Sequence, residues 1–128
     1  MIFGTGIDII EVERIKQSLS GTPAMKKKLY STDEQEYCEQ RKTGIYQCFA
    51  ARFAAKEAFF KALGTGYRYG MAFHEIEVVN DELGKPFIKP HGKVQEFLKK
   101  NGITGVHLSI SHVKNTAVAM VILEKNNS

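Results

Sequence analysis

The segment from Tyr46 to Leu63 constrains this chain more than any other. Tyr46, Phe49, Phe53 and Phe60 recur at helical spacing and share one face, and Gly64 follows as a C-terminal stop. A helix with an aromatic stripe of that width has to be covered by other elements, so the rest of the chain must supply a second layer. With 128 residues, 43% hydrophobic and 25% charged, the chain has the size and make-up of one globular domain spanning 1–128. No apolar run approaches the ~18 residues of a membrane span, so no membrane partner is expected.

The flanking segments identify that second layer. Ile2 to Ile10 reads as a strand, and Val12, Ile15 and Leu19 as the inner positions of a helix ending at Gly21. Thr22-Pro23 opens a short basic helix through Leu29. Ser31 and Glu34 have the spacing of a capping box, starting a third helix that runs to about Arg41. After a glycine-rich loop, Gly64 to Gly70, Ile76 and Val78 alternate with Glu75 and Glu77, a strand with one wet face. Asp81 to Lys85 turns into a short strand at Phe87-Ile88, bracketed by Pro86 and Pro90. His91 to Lys100 is a helix with Val94, Phe97 and Leu98 inward. Val106, Leu108 and Ile110 alternate with His107, Ser109 and Ser111, and Thr116–Leu123 is apolar on both faces, as a central strand would be. The class is α+β, N-terminal helices packed on a late antiparallel meander.

Several residues do not suit a purely structural reading. Asp8 ends an apolar strand, where it can cap the next helix or serve a site. Glu57 falls within one step of the aromatic stripe at about 100° per residue, so its carboxylate needs a partner. Lys61, one turn on, is one candidate; a divalent cation shared with Asp8 is the other, since hard cations take carboxylate oxygens. Lys56 and Lys61 beside Gly64-Thr65-Gly66 are compatible with a phosphate cradle, although no Walker motif is present. His107 and Ser109 lie on one strand face without a third orienting group, so a nucleophilic pair competes there with a simple wet face. Arg14, Lys16, Lys26, Lys27 and Lys28 form a basic cluster over two helices, in a chain of net charge +4; it is a solvated face or a dock for an acidic partner. An RNA is disfavoured as that partner, because no RNP-like aromatic run or GXXG loop occurs. Cys38 and Cys48 form neither a CxxC pair nor a zinc site, and are expected as free thiols in a reducing compartment. The N-terminus lacks the basic start of a secretory signal, so a cytoplasmic setting is expected.

Taken together, these segments resemble the holo-(acyl-carrier-protein) synthase family, the small bacterial 4'-phosphopantetheinyl transferases. Gly6-Ile7-Asp8-Ile9-Ile10-Glu11-Val12-Glu13-Arg14-Ile15 is similar to the family's G-x-D-x-x-E-x-x-R-I opening. Arg52 to Gly66 is similar to its long central motif, Gly84-Lys85-Pro86 to its hairpin, and His107 to His112 to its late strand. The resemblance implies transfer of the phosphopantetheine arm from coenzyme A to a serine of apo-acyl carrier protein, releasing adenosine 3',5'-bisphosphate, as a step serving fatty acid synthesis. It implies Mg²⁺ on Asp8 and Glu57, Lys61 at the transferring phosphate, and Gly64, Pro86, His107 and Ser109 along the coenzyme A cleft. It further implies a homotrimer with sites between subunits, where Arg52 serves a neighbour. The serine proton would pass to a water at the metal or to a carboxylate, Glu57 or Glu34. The Arg14 and Lys26–Lys28 patch would dock the acidic carrier. A basic RNA-binding module and a non-catalytic coenzyme A or nucleotide binder are the rival readings.

Overall fold

The computed structural model describes residues 1–126. In chain order the elements are β1 (Ile2–Glu11), α1 (Val12–Gly21), α2 (Ala24–Leu29), α3 (Thr32–Glu39), α4 (Ile45–Leu63), β2 (Ile76–Asn80), β3 (Pro86–Pro90), α5 (Gly92–Lys100), β4 (Ile103–His112) and β5 (Thr116–Lys125). A single 3₁₀ turn at Phe73–Glu75 leads into β2. The α+β reading holds. The strands nevertheless fall into two antiparallel sheets, β1-β5-β4 and the β2-β3 hairpin, with the N-terminal strand closing one edge of the larger sheet. Strand β5 is central, as its composition requires.

Helix α4 lies across the inner face of the three-stranded sheet. Ala54, Ala55, Ala58 and Ala62 on the helix and Ala117, Ala119, Val121 and Leu123 on β5 are all buried. Small residues let the layers approach closely, and β1 carries this furthest. A Cβ built on Gly6 would lie 1.9 Å from the Ala58 carbonyl oxygen, and one on Gly4 2.0 Å from that of Ala62. The two glycines seat β1 against the backbone of α4, which delivers Asp8 to the helix surface. The local signals behave as their chemistry dictates. Ser31 and Glu34 form the full capping box, and Gly64 ends α4 in the left-handed region at φ 77°.

The opposite face of the sheet stays apolar and uncovered. Ile7 and Ile9 of β1 are 61% and 70% exposed, and Met120, opposite Ile7 and Ser109 in the register, is 44% exposed. Strand β5 is therefore buried on one face only.

Beneath α4 sits a buried polar hub. Lys56, wholly buried, donates to Glu34 Oε1 (2.8 Å), the Phe73 carbonyl (3.0 Å) and the Ile76 carbonyl (2.6 Å). Glu34 also accepts from the Ser31 and Val78 backbone amides at 2.9 and 3.0 Å. One carboxylate thus ties α3, α4 and β2 together. Burial pulls the Lys56 pKa down, and the charge and hydrogen bond of Glu34 oppose that pull. The guanidinium of Arg52 stacks on Tyr37, its centre 4.4 Å from the ring centroid, and donates to Asn80 Oδ1 at 2.7 Å. Its Nε lies 3.9 Å from Glu34 Oε2, near enough for attraction but too far for a hydrogen bond.

Three expectations are corrected here. Lys56 is a core residue and takes no part in a phosphate cradle. Glu77 is not on a wet face: it is buried, accepts from Ser31 Oγ at 2.6 Å and meets His91 Nε2 at 2.9 Å. Burial would raise the Glu77 pKa, but the bonds from Ser31 and His91 outweigh it and hold the group below its ordinary value. Cys38 and Cys48 are not free thiols; their sulfurs are bonded, with Cα atoms 5.5 Å apart. The cause is topological, since the chain reverses between α3 and α4 and brings the two helix ends within disulfide reach.

Candidate active site

Asp8 and Glu57 reach the same surface from different elements. Asp8 comes from β1, set against α4 by Gly4 and Gly6. Glu57 and Lys61 stand one turn apart on α4. Lys61 does not pair with Glu57. Its Nζ donates to Asp8 Oδ1 at 3.1 Å and to the Ile7 carbonyl at 3.0 Å, so it pins the strand to the helix. Glu57 instead accepts from the Tyr67 hydroxyl at 2.7 Å. Tyr67 senses both acids: partial burial, the bond to Glu57, and the charges of Glu57 and Asp8 push its pKa up to about 12. The cleft bounded by Glu57, Phe60, Lys61, Gly64, Gly66 and Tyr67 has a volume of about 330 Å³. Asp8 does not cap α1, which begins at Val12 with Glu11 in the N-cap position and no side-chain cap bond.

The remaining expected residues lie elsewhere on the chain. Pro86 lines a separate cavity of about 640 Å³ that shares no residue with the first, and Arg41, Arg52, His112 and Lys114 make its wall basic. His107 and Ser109 project from β4 on the uncovered sheet face, and His107 Nε2 is bonded to Glu124 Oε1. Glu34 is buried against Lys56, which removes it as a proton acceptor. On α1 and α2, Arg14, Lys27 and Lys28 are exposed, while Lys26 leans on Phe49 and lies 3.6 Å from Glu39.

Two features escape a reading of the sequence. Tyr67 was hidden inside a glycine loop, its only signal being an aromatic residue three positions past a helix stop. The basic cavity is assembled from Arg41 after α3, Arg52 on α4, and His112 and Lys114 around the β4-β5 turn, segments whose charges meet only in the fold.

The donor set suits a hard divalent cation. Each carboxylate spends one oxygen on the bond just described and carries a second. Among the described residues no group of three or more His, Cys, Asp or Glu side chains is arranged as a metal cage. Glu57 lining the cleft and Asp8 beside it, bonded to the lining Lys61, could hold Mg²⁺, which commonly takes one or two carboxylates and completes its shell with waters and phosphates.

Comparison with known proteins identifies the family. The sequence model of the 4'-phosphopantetheinyl transferase superfamily matches residues 4–121. A holo-(acyl-carrier-protein) synthase of Trichlorobacter lovleyi is 50% identical over 125 residues, covering 97% of this chain and 98% of its own length. That of Ruminiclostridium cellulolyticum is 46% identical over 129 residues, covering 100% of this chain and 95% of its own. The crystal structure of the Neisseria meningitidis synthase superposes with a TM-score of 0.89 at 36% identity, covering 98% of this chain and 100% of that one. The Bacillus anthracis synthase, solved in complex with coenzyme A (3',5'-ADP), gives a TM-score of 0.82 at 39% identity, covering 98% and 99%. A family match along nearly the whole chain and relatives at 46–50% identity lead to one conclusion: the chain belongs to the 4'-phosphopantetheinyl transferase superfamily.

Proposed function

We propose that this chain transfers the 4'-phosphopantetheine arm of coenzyme A to a serine of apo-acyl carrier protein in the cytoplasm, supplying holo-carrier for fatty acid synthesis. The observation that carries the reading is Lys61 bonded to Asp8 and to the Ile7 carbonyl. That bond joins the Asp8 carboxylate to a cleft lined by Lys61 and Glu57, and an ammonium with two nearby carboxylates is a charge pattern that suits a diphosphate donor and its cation.

In the reaction the carrier serine oxygen forms a bond to the phosphorus of the phosphopantetheine group. The bond from that phosphorus to adenosine 3',5'-bisphosphate breaks, and the bisphosphate leaves with the electron pair. Asp8 and Glu57 would hold Mg²⁺, which when bound neutralises diphosphate charge. Lys61, whose side chain is more than half exposed, exchanges its bond to Asp8 for a phosphate oxygen of the substrate. The serine proton would pass to a water at the metal or to Glu57, the one of the two carboxylates considered that faces the cleft. The walls of the basic cavity at Arg41, Arg52, His112 and Lys114 suit the adenosine 3'-phosphate end of coenzyme A. Arg14 and Lys26–Lys28 suit the acidic carrier.

Coenzyme A residues inferred from the resemblance fall at separate places on one chain: Gly64 in the cleft, Pro86 in the basic cavity, and His107 and Ser109 on the sheet face. A homotrimer packed through the uncovered Ile7, Ile9 and Met120 face reconciles them, because neighbouring copies then contribute complementary parts of one site.

The test is mass spectrometry of apo-carrier incubated with coenzyme A, Mg²⁺ and this protein. A phosphopantetheine adduct on serine is expected, and no adduct refutes the proposal. Glu57→Gln is expected to abolish the adduct with the melting temperature unchanged; full turnover by that variant refutes the role of Glu57.

A further inference from the structure

Tyr67 is held more firmly than its exposed position suggests. It lies in a loop whose path depends on left-handed backbone at Gly64, Gly66, Tyr69 and Gly70. Its ring meets Phe60 edge-on at 5.0 Å and packs at 5.0 Å against Phe73, and those two rings contact each other at 5.3 Å. The aromatic cluster fixes the ring, and the ring fixes the hydroxyl, which donates to Glu57 Oε1 at 2.7 Å. Glu57 is a long side chain with substantial rotamer freedom to lose. A hydroxyl anchored on a separate loop removes that freedom before any ligand arrives, and occupies one carboxylate oxygen so that the other is presented. Hydrogen bonds of this kind orient metal-ligating carboxylates and commonly change metal affinity by about 10–100-fold.

We infer that Tyr67 is a positioning residue, its hydroxyl fixing the Glu57 carboxylate for the divalent cation. The inference rests on the metal reading of Asp8 and Glu57 given above. Its hydroxyl acts on the cation through Glu57, to which it donates. Its ring packing and its hydroxyl are separable, since Tyr67→Phe keeps every aromatic contact and deletes only the donor.

The experiment titrates the full-length protein with Mn²⁺ alone, counting free ion by electron paramagnetic resonance, for wild type, Tyr67→Phe and Glu57→Gln. The Mg²⁺ activation curve of turnover is measured in parallel. Tyr67→Phe is expected to raise the Mn²⁺ Kd and the Mg²⁺ activation constant by about tenfold or more, with kcat at saturating Mg²⁺ within twofold and the melting temperature unchanged. Wild-type binding that depends on Glu57 but is unaltered, or tightened, by Tyr67→Phe overturns the inference alone. Wild-type protein that binds no Mn²⁺, or binds it equally without the Glu57 carboxylate, overturns the metal reading and this inference with it. A lower melting temperature accompanied by unchanged metal constants assigns Tyr67 to packing and likewise overturns the inference.

Discussion

Gly6→Ala tests the link between the packing of β1 and the site. The added Cβ would meet the Ala58 carbonyl oxygen at 1.9 Å and the Ala62 nitrogen at 2.8 Å. Both are backbone atoms of α4 and cannot rotate aside. Real Cβ contacts stop near 3.0 Å, so strand and helix must separate by about 1.1 Å. Overpacking typically costs about 1–3 kcal/mol, and a clash with rigid backbone belongs at the upper end. Gly6 has no positive φ, so backbone strain adds nothing. For a domain of this size, about 3 kcal/mol lowers the melting temperature by roughly 10 °C. The same displacement stretches the Lys61 bonds to Asp8 and Ile7, now 3.1 and 3.0 Å, to about 4 Å, beyond hydrogen-bond range. Misplacement by about 1 Å costs on the order of 10²-fold in rate. Gly21→Ala is the control, since nothing lies within 4 Å of its added Cβ. Thermal melts and the carrier mass assay read both effects. A Gly6→Ala protein that melts within about 2 °C of wild type and retains full turnover refutes the argument that this glycine is required for close approach.

Lys56→Met strands Glu34 in the core with its nearest cation 3.9 Å away at Arg52. A loss of about 3–5 kcal/mol is expected in chemical denaturation, and a loss under 1 kcal/mol would show that the hub is not a closed charge pair. Met120→Glu places a charge on the uncovered sheet face, and light scattering is expected to give a trimer for the wild type and monomers for the variant; a wild type that is itself monomeric refutes the proposed trimer. Lys27→Glu is expected to raise the KM for an acidic carrier at low salt, with kcat unchanged and the difference fading as the screening length shrinks from about 10 Å at 0.1 M to about 3 Å at 1 M. A KM difference that ignores salt refutes electrostatic docking at this patch.

The legible parts of the fold are those whose causes lie within a few residues. The Ser31–Glu34 capping box, the Gly64 stop and the inner positions of α4 follow from bonds and periods closed inside one element. The illegible parts depend on which element arrives opposite. Glu77 alternates like a solvent-facing residue, yet Ser31 and His91 come to meet it. Lys56 resembles any helical lysine until three acceptors close around it. Glu57 and Lys61 have the spacing of a helical ion pair, but each takes a partner from another segment.

What the sequence determined by itself was therefore the set of elements, the α+β class and, through motifs spread along the chain, the family. Only the tertiary structure decided that Lys61 would join Asp8, that Tyr67 would hold Glu57, that Glu34 and Lys56 would be sealed in the core, and that Cys38 would meet Cys48. The reason is physical. Propensity and periodicity act over single turns of chain, whereas a buried charge or sulfur is settled by the neighbours that packing brings to it from tens of residues away.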